Sequence, residues 1–331
     1  MKQFVFRFLF CSLLLLGGLA FYNYTYDVYG LLNVTEYSVQ FNAHFNKVKY
    51  LLGNPSKYNA FCFGSSRVGR IDLTRVENGL SYYNMTYPDG LPKEWLDDVR
   101  IFLKHHMNIK QIMVGIDDFS FRLDPSKHAA RYERIPYNDD GNFKTYLACL
   151  LRVPSVATKK HQDKSVFSYI YEMGMNLNRD AEASIEQDII NHVHDEKFLK
   201  SKHHVLGNRI DETIQVFSDL KSLCDENNIE LIVFINPIHR TAYLANNLDE
   251  FNEFKRRLAE VTNYYDFSGL NEVTMNNNYY LETTHYRLIV GDMIVQRIFH
   301  PEQGVNFGVW VTKDNVEGHI RELEKQIIQE G

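Results

Sequence analysis

The sequence predicts a doubly wound α/β/α sandwich built on a parallel β-sheet. Three observations predict it. Short apolar stretches alternate with amphipathic helical patterns, residues 230–235 are apolar almost throughout, and polar side chains directly follow several predicted strands. Strands that alternate with helices form parallel sheets covered on both faces, and such buried strands are apolar on both sides. Ligands of these sheets bind beyond the carboxyl ends of the strands.

Residues 1–26 are predicted to form a signal-anchor helix that spans the membrane once. Residues 8–22 carry no charge, and Lys2 and Arg7 precede them. A helix of that length rises roughly 22 Å, and the apolar residues before Arg7 bring it close to the ~30 Å hydrocarbon core. Because positive charge stays on the cytoplasmic side, the bulk of the chain is predicted to be extracytoplasmic.

A cleaved signal peptide is the alternative for this segment, because Gly18 and Ala20 suit a cleavage site. After it, residues 27–54 are interpreted as a tether, and residues 55–331 as one catalytic domain. Residues 122–206 are polar and rich in His and Lys, and they lack a core pattern of their own. They are therefore interpreted as a helical insertion in that domain.

The elements of the domain follow one another as an α/β alternation. In the first half, the predicted elements are a strand at 58–63, a strand at 81–87, a helix that Pro92 opens, and a strand at 112–121. After the insertion, the predicted elements are a helix at 210–227, a strand at 230–235, a helix at 248–261, a strand at 264–267, a helix at 286–299, a strand at 307–312 and a helix at 316–328.

Composition excludes some classes of function. The net charge of −6 argues against a nucleic-acid partner, because phosphate binding requires clustered Lys and Arg. The 13 His are scattered without the spacing of a zinc site, so neither a metal nor a cofactor is expected. The four Cys form no disulfide framework.

Two short motifs carry the candidate chemistry. Gly64, Ser65 and Ser66 form a small-residue turn after the first strand, where a serine nucleophile is exposed beside backbone N–H groups. Glu282 stands three residues before His285, so its carboxylate can turn back onto the imidazole and orient it. Each motif alone has a structural explanation, as a common turn or as a surface cap.

Together, in this order and at this separation, the two motifs resemble the SGNH hydrolase superfamily, a flavodoxin-like fold. The resemblance is to its extracytoplasmic, membrane-anchored branch near the teichoic-acid D-alanyl transfer protein and the polysaccharide O-acetyltransferases. It covers about residues 55–120 and 208–312. It implies that Ser66 is the nucleophile, His285 the general base and Glu282 the acid that orients the base.

Two residues depart from the family pattern. The acid is Glu282 where the superfamily usually has Asp. Asp117 lies where many members have Asn, and an ionised carboxylate cannot donate a hydrogen bond to an oxyanion. The backbone N–H of Ser66 and the side chain of Asn84 are then the candidate donors. Arg67 either compensates for this charge or forms a structural ion pair with Asp117 or its neighbour.

His239, in the run 236–239 after the fourth strand, either borders the site or belongs to a plain strand-to-turn transition. The resemblance implies a serine O-acyltransferase or esterase that acts on a cell-envelope polysaccharide beside a membrane-bound O-acyltransferase-type acyl exporter. Two alternatives stay open from the sequence. One is an esterase of small esters or lipids, and the other is a non-catalytic glycan-binding or scaffold protein, which Asp117 favours.

Overall fold

The computed structural model describes residues 1–27, 42–128, 135–154, 169–170, 173–201, 207–304 and 306–330. Its strands are β1 (Ala60–Phe63), β2 (Tyr82–Asn84), β3 (Gln111–Ile116), β4 (Tyr169–Ile170), β5 (Met175–Asn176), β6 (Glu230–Ile235), β7 (Tyr264–Asp266) and β8 (Val309–Val311).

Twelve α-helices lie within these described ranges. They are α1 (Lys2–Tyr26), α2 (Ala43–Leu52), α3 (Pro92–Lys104), α4 (Pro125–His128), α5 (Phe143–Leu150), α6 (Arg179–Gln187), α7 (Ile189–Val193), α8 (Ile210–Glu226), α9 (Arg240–Leu244), α10 (Leu248–Val261), α11 (Leu288–Phe299) and α12 (Val316–Glu330). The chain divides into two compact units, residues 1–53 with 129–167, and residues 54–128 with 168–331.

The first unit contains α1, α2 and α5. Helix α1 is long and apolar enough to cross a membrane, by length and composition. Helix α2 occupies residues 43–52, a range that the sequence analysis interprets as part of a tether, and Phe45 and Val48 on it are fully buried. Phe45 packs against Cys149 of α5 and against Tyr146, whose ring stands edge-on to it. Residues 28–41 of the predicted tether lie outside the described residues.

The second unit is built on a six-stranded sheet with the order β2-β1-β3-β6-β7-β8. Strands β2, β1, β3, β6 and β7 are parallel, and β8 pairs antiparallel with β7 at the edge. The predicted α/β class and mostly parallel sheet are therefore confirmed. From β1 the chain continues to β2 on one side of the sheet, and β3 and the later strands of this sheet lie on the other side. The connections that follow β1 and β3 therefore run in opposite directions, which opens a crevice between the carboxyl ends of these two strands.

Helices cover both faces of this sheet. Helices α3, α8, α10 and α12 pack side by side in a row on one face. On that face Phe61 of β1 packs against Phe102 of α3, with ring centroids 5.2 Å apart. The neighbouring residues Ala60 and Cys62 point to the other face, into a core shared with α11. This alternation follows from the pleat of a strand, in which successive side chains point to opposite faces.

Several predicted elements end earlier or begin later than the sequence pattern indicates, and in three of them a specific contact gives the reason. Strand β3 ends at Ile116, because the chain turns at Asp117, whose carbonyl accepts the Ser120 N–H at 3.1 Å. Strand β2 ends at Asn84, whose side chain accepts the Thr86 N–H at 2.9 Å. Helix α11 begins at Leu288 rather than 286, since residue 286 is held in an isolated antiparallel bridge.

The predicted insertion, residues 122–206, is not one structural piece. Its described part contains α5, which belongs to the first unit, and α6 and α7, which belong to the second. Helix α6 is tied to the start of α11, because Glu182 accepts a hydrogen bond from Arg287 Nε at 2.8 Å and another from the Leu288 N–H at 2.9 Å. Residues 129–134, 155–168, 171–172 and 202–206 lie outside the described residues.

Candidate active site

Ser66 lies in a tight turn at the carboxyl end of β1, beside the reversal of strand order. The turn can pack this closely because Gly64 and Gly115 lack side chains. A Cβ on Gly64 would lie 2.5 Å from Val68 Cγ2, and a Cβ on Gly115 would lie 2.3 Å from the same atom. Val68 therefore fills the space that two side chains would otherwise occupy. Ser66 is partly exposed, whereas Ser65 and Arg67 on either side are buried.

The loop before α11 brings His285 to Ser66. The Leu281 N–H donates to the His285 carbonyl at 2.8 Å, which closes the loop on itself. Ser66 Oγ and His285 Nε2 are 2.8 Å apart, although the residues are 219 positions apart in the chain. The structure therefore brings together the serine and histidine that the sequence analysis singles out.

Glu282 completes a chain of hydrogen bonds through His285. Its Oε1 is bonded to His285 Nδ1, and its Oε2 accepts the Thr284 N–H at 2.7 Å. Burial by itself would raise the pKa of Glu282, but the hydrogen bonds from His285 and Thr284 outweigh it and lower the pKa to about 2. Glu282 is therefore a carboxylate at neutral pH.

The ionised state of Glu282 determines the tautomer of His285. A carboxylate only accepts hydrogen bonds, so the proton in this contact must lie on His285 Nδ1. In a neutral imidazole the other nitrogen, Nε2, then carries a lone pair and accepts the hydroxyl proton of Ser66. The arrangement is poised to remove a proton from Ser66, which is the function of the base in a serine triad.

Arg67 joins the serine turn to the histidine loop. Its Nε donates to the Thr284 carbonyl at 2.6 Å, and its Nη1 donates to Asp117 Oδ1 at 2.8 Å and to Asp118 Oδ1 at 2.6 Å. Of the two alternatives for Arg67, the structure contains the ion pair, with both carboxylates rather than one. All three charged side chains are almost entirely buried.

The two carboxyl groups on Arg67 differ in their electrostatics. Burial raises the pKa of Asp117 more than Arg67 lowers it, so the pKa lies above its usual value. For Asp118 the charge and hydrogen bond of Arg67 outweigh burial, and the pKa lies below its usual value. Asp118 is therefore the charge partner of Arg67, and Asp117 is the carboxyl that protonates more readily.

Asp117 is engaged by a second donor, Asn236, the first residue of the run 236–239 that follows the fourth predicted strand. Asn236 Nδ2 donates to Asp117 Oδ1 at 3.0 Å, and Asn236 Oδ1 accepts the Tyr286 hydroxyl at 3.1 Å. Asn236 thus connects the end of β3 to the residue that follows His285. The motif Glu-Thr-Thr-His also contains Thr284, whose backbone bonds both Glu282 and Arg67. Sequence spacing alone does not reveal either bridge.

The remaining candidates are turned toward structural partners. Asn84 is fully buried, and its Nδ2 donates to the Val68 carbonyl at 3.2 Å. His239 caps α9 by accepting the Thr241 N–H on Nδ1, and its Nε2 meets Asn277 Oδ1 at 2.9 Å. Both ring nitrogens of His239 are thereby occupied, and burial lowers its pKa below the usual value. This geometry is that of a strand-to-turn transition.

The backbone N–H of Ser66 is the remaining candidate oxyanion donor. Within the described part of the chain, no acceptor meets this N–H, whereas the Arg67 N–H donates to Ser65 Oγ at 3.2 Å. A donor held in a rigid turn beside a nucleophile can stabilise the negative charge that develops on an attacked carbonyl oxygen.

Arg70 is a further residue that the sequence analysis does not single out. It is 8% exposed, and within the described ranges its Nη1 has no hydrogen-bond partner. Burial lowers its pKa, and the charges of Glu182 and Glu282 offset this only in part. Both of these carboxylates bond other groups, so among the described residues Arg70 lies four residues after Ser66 without an ion-pair contact and with its charge only partly offset. In the sequence, the position of Arg70 three residues after Arg67 is the only feature that could have drawn attention to it.

A cavity of about 800 Å³ lies near the carboxyl edge of the sheet, on the side of α3 and α8. Its lining includes Leu91, Ser120 and Arg209 but not Ser66 or His285. Among the described residues, no group of three or more His, Cys, Asp or Glu side chains could hold a metal ion.

No family is assigned to this chain by comparison with known proteins. The chain matches no protein-family model and no curated protein sequence. The geometry of Ser66, His285 and Glu282 is therefore the observation on which a functional interpretation rests.

Proposed function

We propose that this protein is a membrane-anchored, extracytoplasmic serine O-acyltransferase or esterase of the SGNH type, which acts on a cell-envelope polysaccharide. The single observation that carries the proposal is the hydrogen-bonded series from Ser66 through His285 to Glu282. Nucleophile, base and orienting acid in hydrogen-bond contact are the recurring arrangement of serine acyl transfer on unrelated folds.

The first half of the proposed reaction acylates the enzyme. Ser66 Oγ attacks the acyl carbonyl carbon of the donor ester while His285 Nε2 takes the hydroxyl proton. The resulting oxyanion accepts a hydrogen bond from the Ser66 N–H, and Glu282 stabilises the imidazolium. When the bond to the leaving oxygen breaks, His285 returns the proton to that oxygen, and the acyl group stays on Ser66.

The second half releases the acyl group to an acceptor. A hydroxyl of the polysaccharide gives its proton to His285 Nε2 and attacks the acyl-enzyme carbonyl, and the proton then returns to Ser66 Oγ as the ester bond breaks. Water in place of the sugar hydroxyl makes the same step a hydrolysis. An acceptor held close to the carbonyl gains a large effective concentration over water, so transfer depends on acceptor binding.

The anchor supports a substrate of the cell envelope. Helix α1 is long and apolar enough to hold the chain at a membrane, and Lys2 and Arg7 at its start favour an extracytoplasmic body. An enzyme held there meets polymers of the envelope, and a membrane-bound O-acyltransferase-type exporter would supply its acyl groups from within the membrane.

Labelling with a fluorophosphonate tests the proposal. The reagent phosphonylates an activated serine with loss of fluoride, so the full-length protein in detergent should be labelled, and Ser66→Ala should not. Ser126→Ala, at an exposed serine hydrogen-bonded to Asp124, is the matched control and should keep the label. No labelling of the unsubstituted protein, or equal labelling of Ser66→Ala, would favour a non-catalytic glycan-binding protein.

A further inference from the structure

The N-terminal unit carries an exposed apolar stripe on helix α5. Phe143 and Leu147 of α5, and Leu151 directly after its last residue, follow one another at intervals of four residues, and their exposed fractions are 75%, 43% and 40%. Residues four apart lie on one face of a helix. On the opposite side Cys149 is buried against Phe45. The helix thus has one face inside the unit and one apolar face outside it.

Asn23 of α1 fixes the carboxyl end of α5. This asparagine is 3% exposed, and its Nδ2 lies 3.2 Å from the Cys149 carbonyl and 2.8 Å from each of the Leu150 and Arg152 carbonyls. The last carbonyls of a helix have no partner within the helix, and here a side chain of α1 supplies their hydrogen bonds. The exposed stripe therefore has a defined position relative to α1.

The depth of the contact between Asn23 and α5 in the membrane follows from the length of α1. A hydrocarbon core of about 30 Å is crossed by roughly 20 helical residues. Residues 4–23 of α1 are a segment of that length. Arg7 lies about one turn inside one end, from which its long side chain can reach the interface, and Asn23 lies at the other end. A buried amide that bonds three carbonyls suits the edge of the hydrocarbon core, because backbone polar groups that lie within the core must be satisfied by the protein itself.

We propose that α5 lies in the membrane interface, with Phe143, Leu147 and Leu151 in contact with lipid acyl chains. The proposal rests on the membrane anchoring of α1 given above. Amphipathic helices bind membranes in this way, with the apolar face turned to the acyl chains and the polar face to water. Exposed Lys144 and Arg152 flank the stripe and suit anionic headgroups. Helix α1 and the α5 stripe together would orient the unit on the bilayer.

Tryptophan quenching by brominated lipid tests this placement. The full-length chain carrying Phe143→Trp or Leu147→Trp is reconstituted into vesicles of phosphatidylcholine and phosphatidylglycerol. The acyl chains are plain, brominated close to the headgroup, or brominated close to the chain end at the bilayer centre. Fluorescence of the unsubstituted protein, which contains Trp95 and Trp310, is subtracted. Far-ultraviolet circular dichroism checks that each variant keeps its helix content.

Two further variants serve as references. Leu14→Trp, within α1, reports insertion of the anchor, and Ala148→Trp, about 100° around α5 from Leu147, reports the neighbouring face of the same helix. Both Phe143→Trp and Leu147→Trp should lose to the headgroup-proximal bromines a share of fluorescence comparable with the share that Leu14→Trp loses to the chain-end bromines, and Ala148→Trp should lose less to the headgroup-proximal bromines.

Each other result overturns a stated part of the inference. Quenching of Leu14→Trp without quenching of Phe143→Trp and Leu147→Trp would refute the interfacial position of α5 and leave a protein partner as its occupant. Equal quenching of Ala148→Trp would refute the assignment of the stripe as the lipid-facing side. An unquenched Leu14→Trp would refute the anchor as well. Fluorophosphonate labelling of Ser66 does not depend on these quenching results, so failure of the proposed catalytic function can be distinguished from failure of the proposed position of α5.

Discussion

Ser66 and His285 share one hydrogen bond, so their contributions to catalysis should not be independent. We expect Ser66→Ala and His285→Ala each to lower kcat by about 10⁴-fold or more, and the double variant to lose about as much as either single one. The reason is that neither residue can perform the proton transfer without the other. Glu282→Ala should lower kcat less, because Glu282 orients the imidazole without itself reacting.

The measurement is hydrolysis of a small activated ester by the four variants under single-turnover conditions. Arg75→Ala, at an exposed arginine that pairs with Asp292, controls for general effects on the fold. Losses that multiply between Ser66→Ala and His285→Ala would show that the two residues act independently, contrary to the proposed mechanism.

Arg67 is expected to stabilise the fold rather than to contact substrate. Replacement by Met leaves Asp117 and Asp118 buried without their counter-charge, and loss of one member of a buried ion pair costs about 3–5 kcal/mol. We therefore expect Arg67→Met to reduce the free energy of unfolding by an amount in that range. Urea denaturation followed by tryptophan fluorescence provides the measurement.

Arg75→Met is the matched control, since its side chain is 59% exposed and bonds Asp292 at 3.0 Å. Exposed ion pairs contribute about 0–1 kcal/mol, so this variant should differ little from the unsubstituted protein. Similar losses in the free energy of unfolding for the two variants would mean that burial of the Arg67 ion pairs does not account for their contribution to stability.

At the scale of elements, the approach of α11 to the serine turn depends on Gly291. A Cβ at this position would lie 2.5 Å from the Arg70 carbonyl oxygen and 3.1 Å from Ile71 Cα. Backbone atoms cannot move aside as a flexible side chain can. We expect Gly291→Ala to destabilise the protein by roughly 1–3 kcal/mol, as overpacking does, and to slow fluorophosphonate labelling of Ser66.

Gly318 in α12 is the corresponding control. The nearest atom to a Cβ there is an Arg321 nitrogen 3.9 Å away, so alanine meets open space. Because alanine favours helix over glycine, Gly318→Ala should be neutral or stabilising by up to about 1 kcal/mol. Equal effects of the two substitutions on the urea midpoint would contradict the close contact between α11 and the turn.

At the scale of the whole molecule, a buried charge cluster holds the sheet to its outer helices. Asp266 at the end of β7 bonds Lys255 of α10 at 3.0 Å and His319 of α12 at 2.8 Å. It also accepts the Ser268 hydroxyl at 2.6 Å. Burial would raise the pKa of Asp266, but Lys255 and His319 outweigh burial and hold it far below its usual value.

This cluster makes stability depend on pH in a defined direction. An acid whose folded pKa is lowered contributes stability above its unfolded pKa, about 3.9 for Asp, and that stability is lost as pH falls below this value. The free energy of unfolding should therefore decline between about pH 5 and pH 2. Asp266→Asn should be less stable at neutral pH and should show a shallower decline. An unchanged slope for Asp266→Asn in urea titrations across this range would contradict the assignment.

Much of the fold could be predicted from the sequence because its signals are local. The apolar run 230–235 and the helix 248–261 have the same bounds in the structure, as β6 and α10. A continuous apolar run and a helical spacing of apolar residues are both properties of consecutive residues. Strand β3 ends before the apolar pattern does because the chain turns at Asp117, and helix α11 begins late because residue 286 is bridged to residue 280. Neither contact is visible in the pattern of apolar residues.

The sequence by itself determined the α/β alternation, the apolar N-terminal helix, and Ser66 and His285 as the pair to examine. Only the tertiary structure decided that Ser66 and His285 meet at 2.8 Å, and that Arg67 bonds both Asp117 and Asp118. It likewise separated α5 from the helices with which it shares the predicted insertion. The physical reason is that periodicity and turn chemistry act over a few residues, whereas ion pairs and hydrogen bonds between distant segments depend on how the whole chain packs.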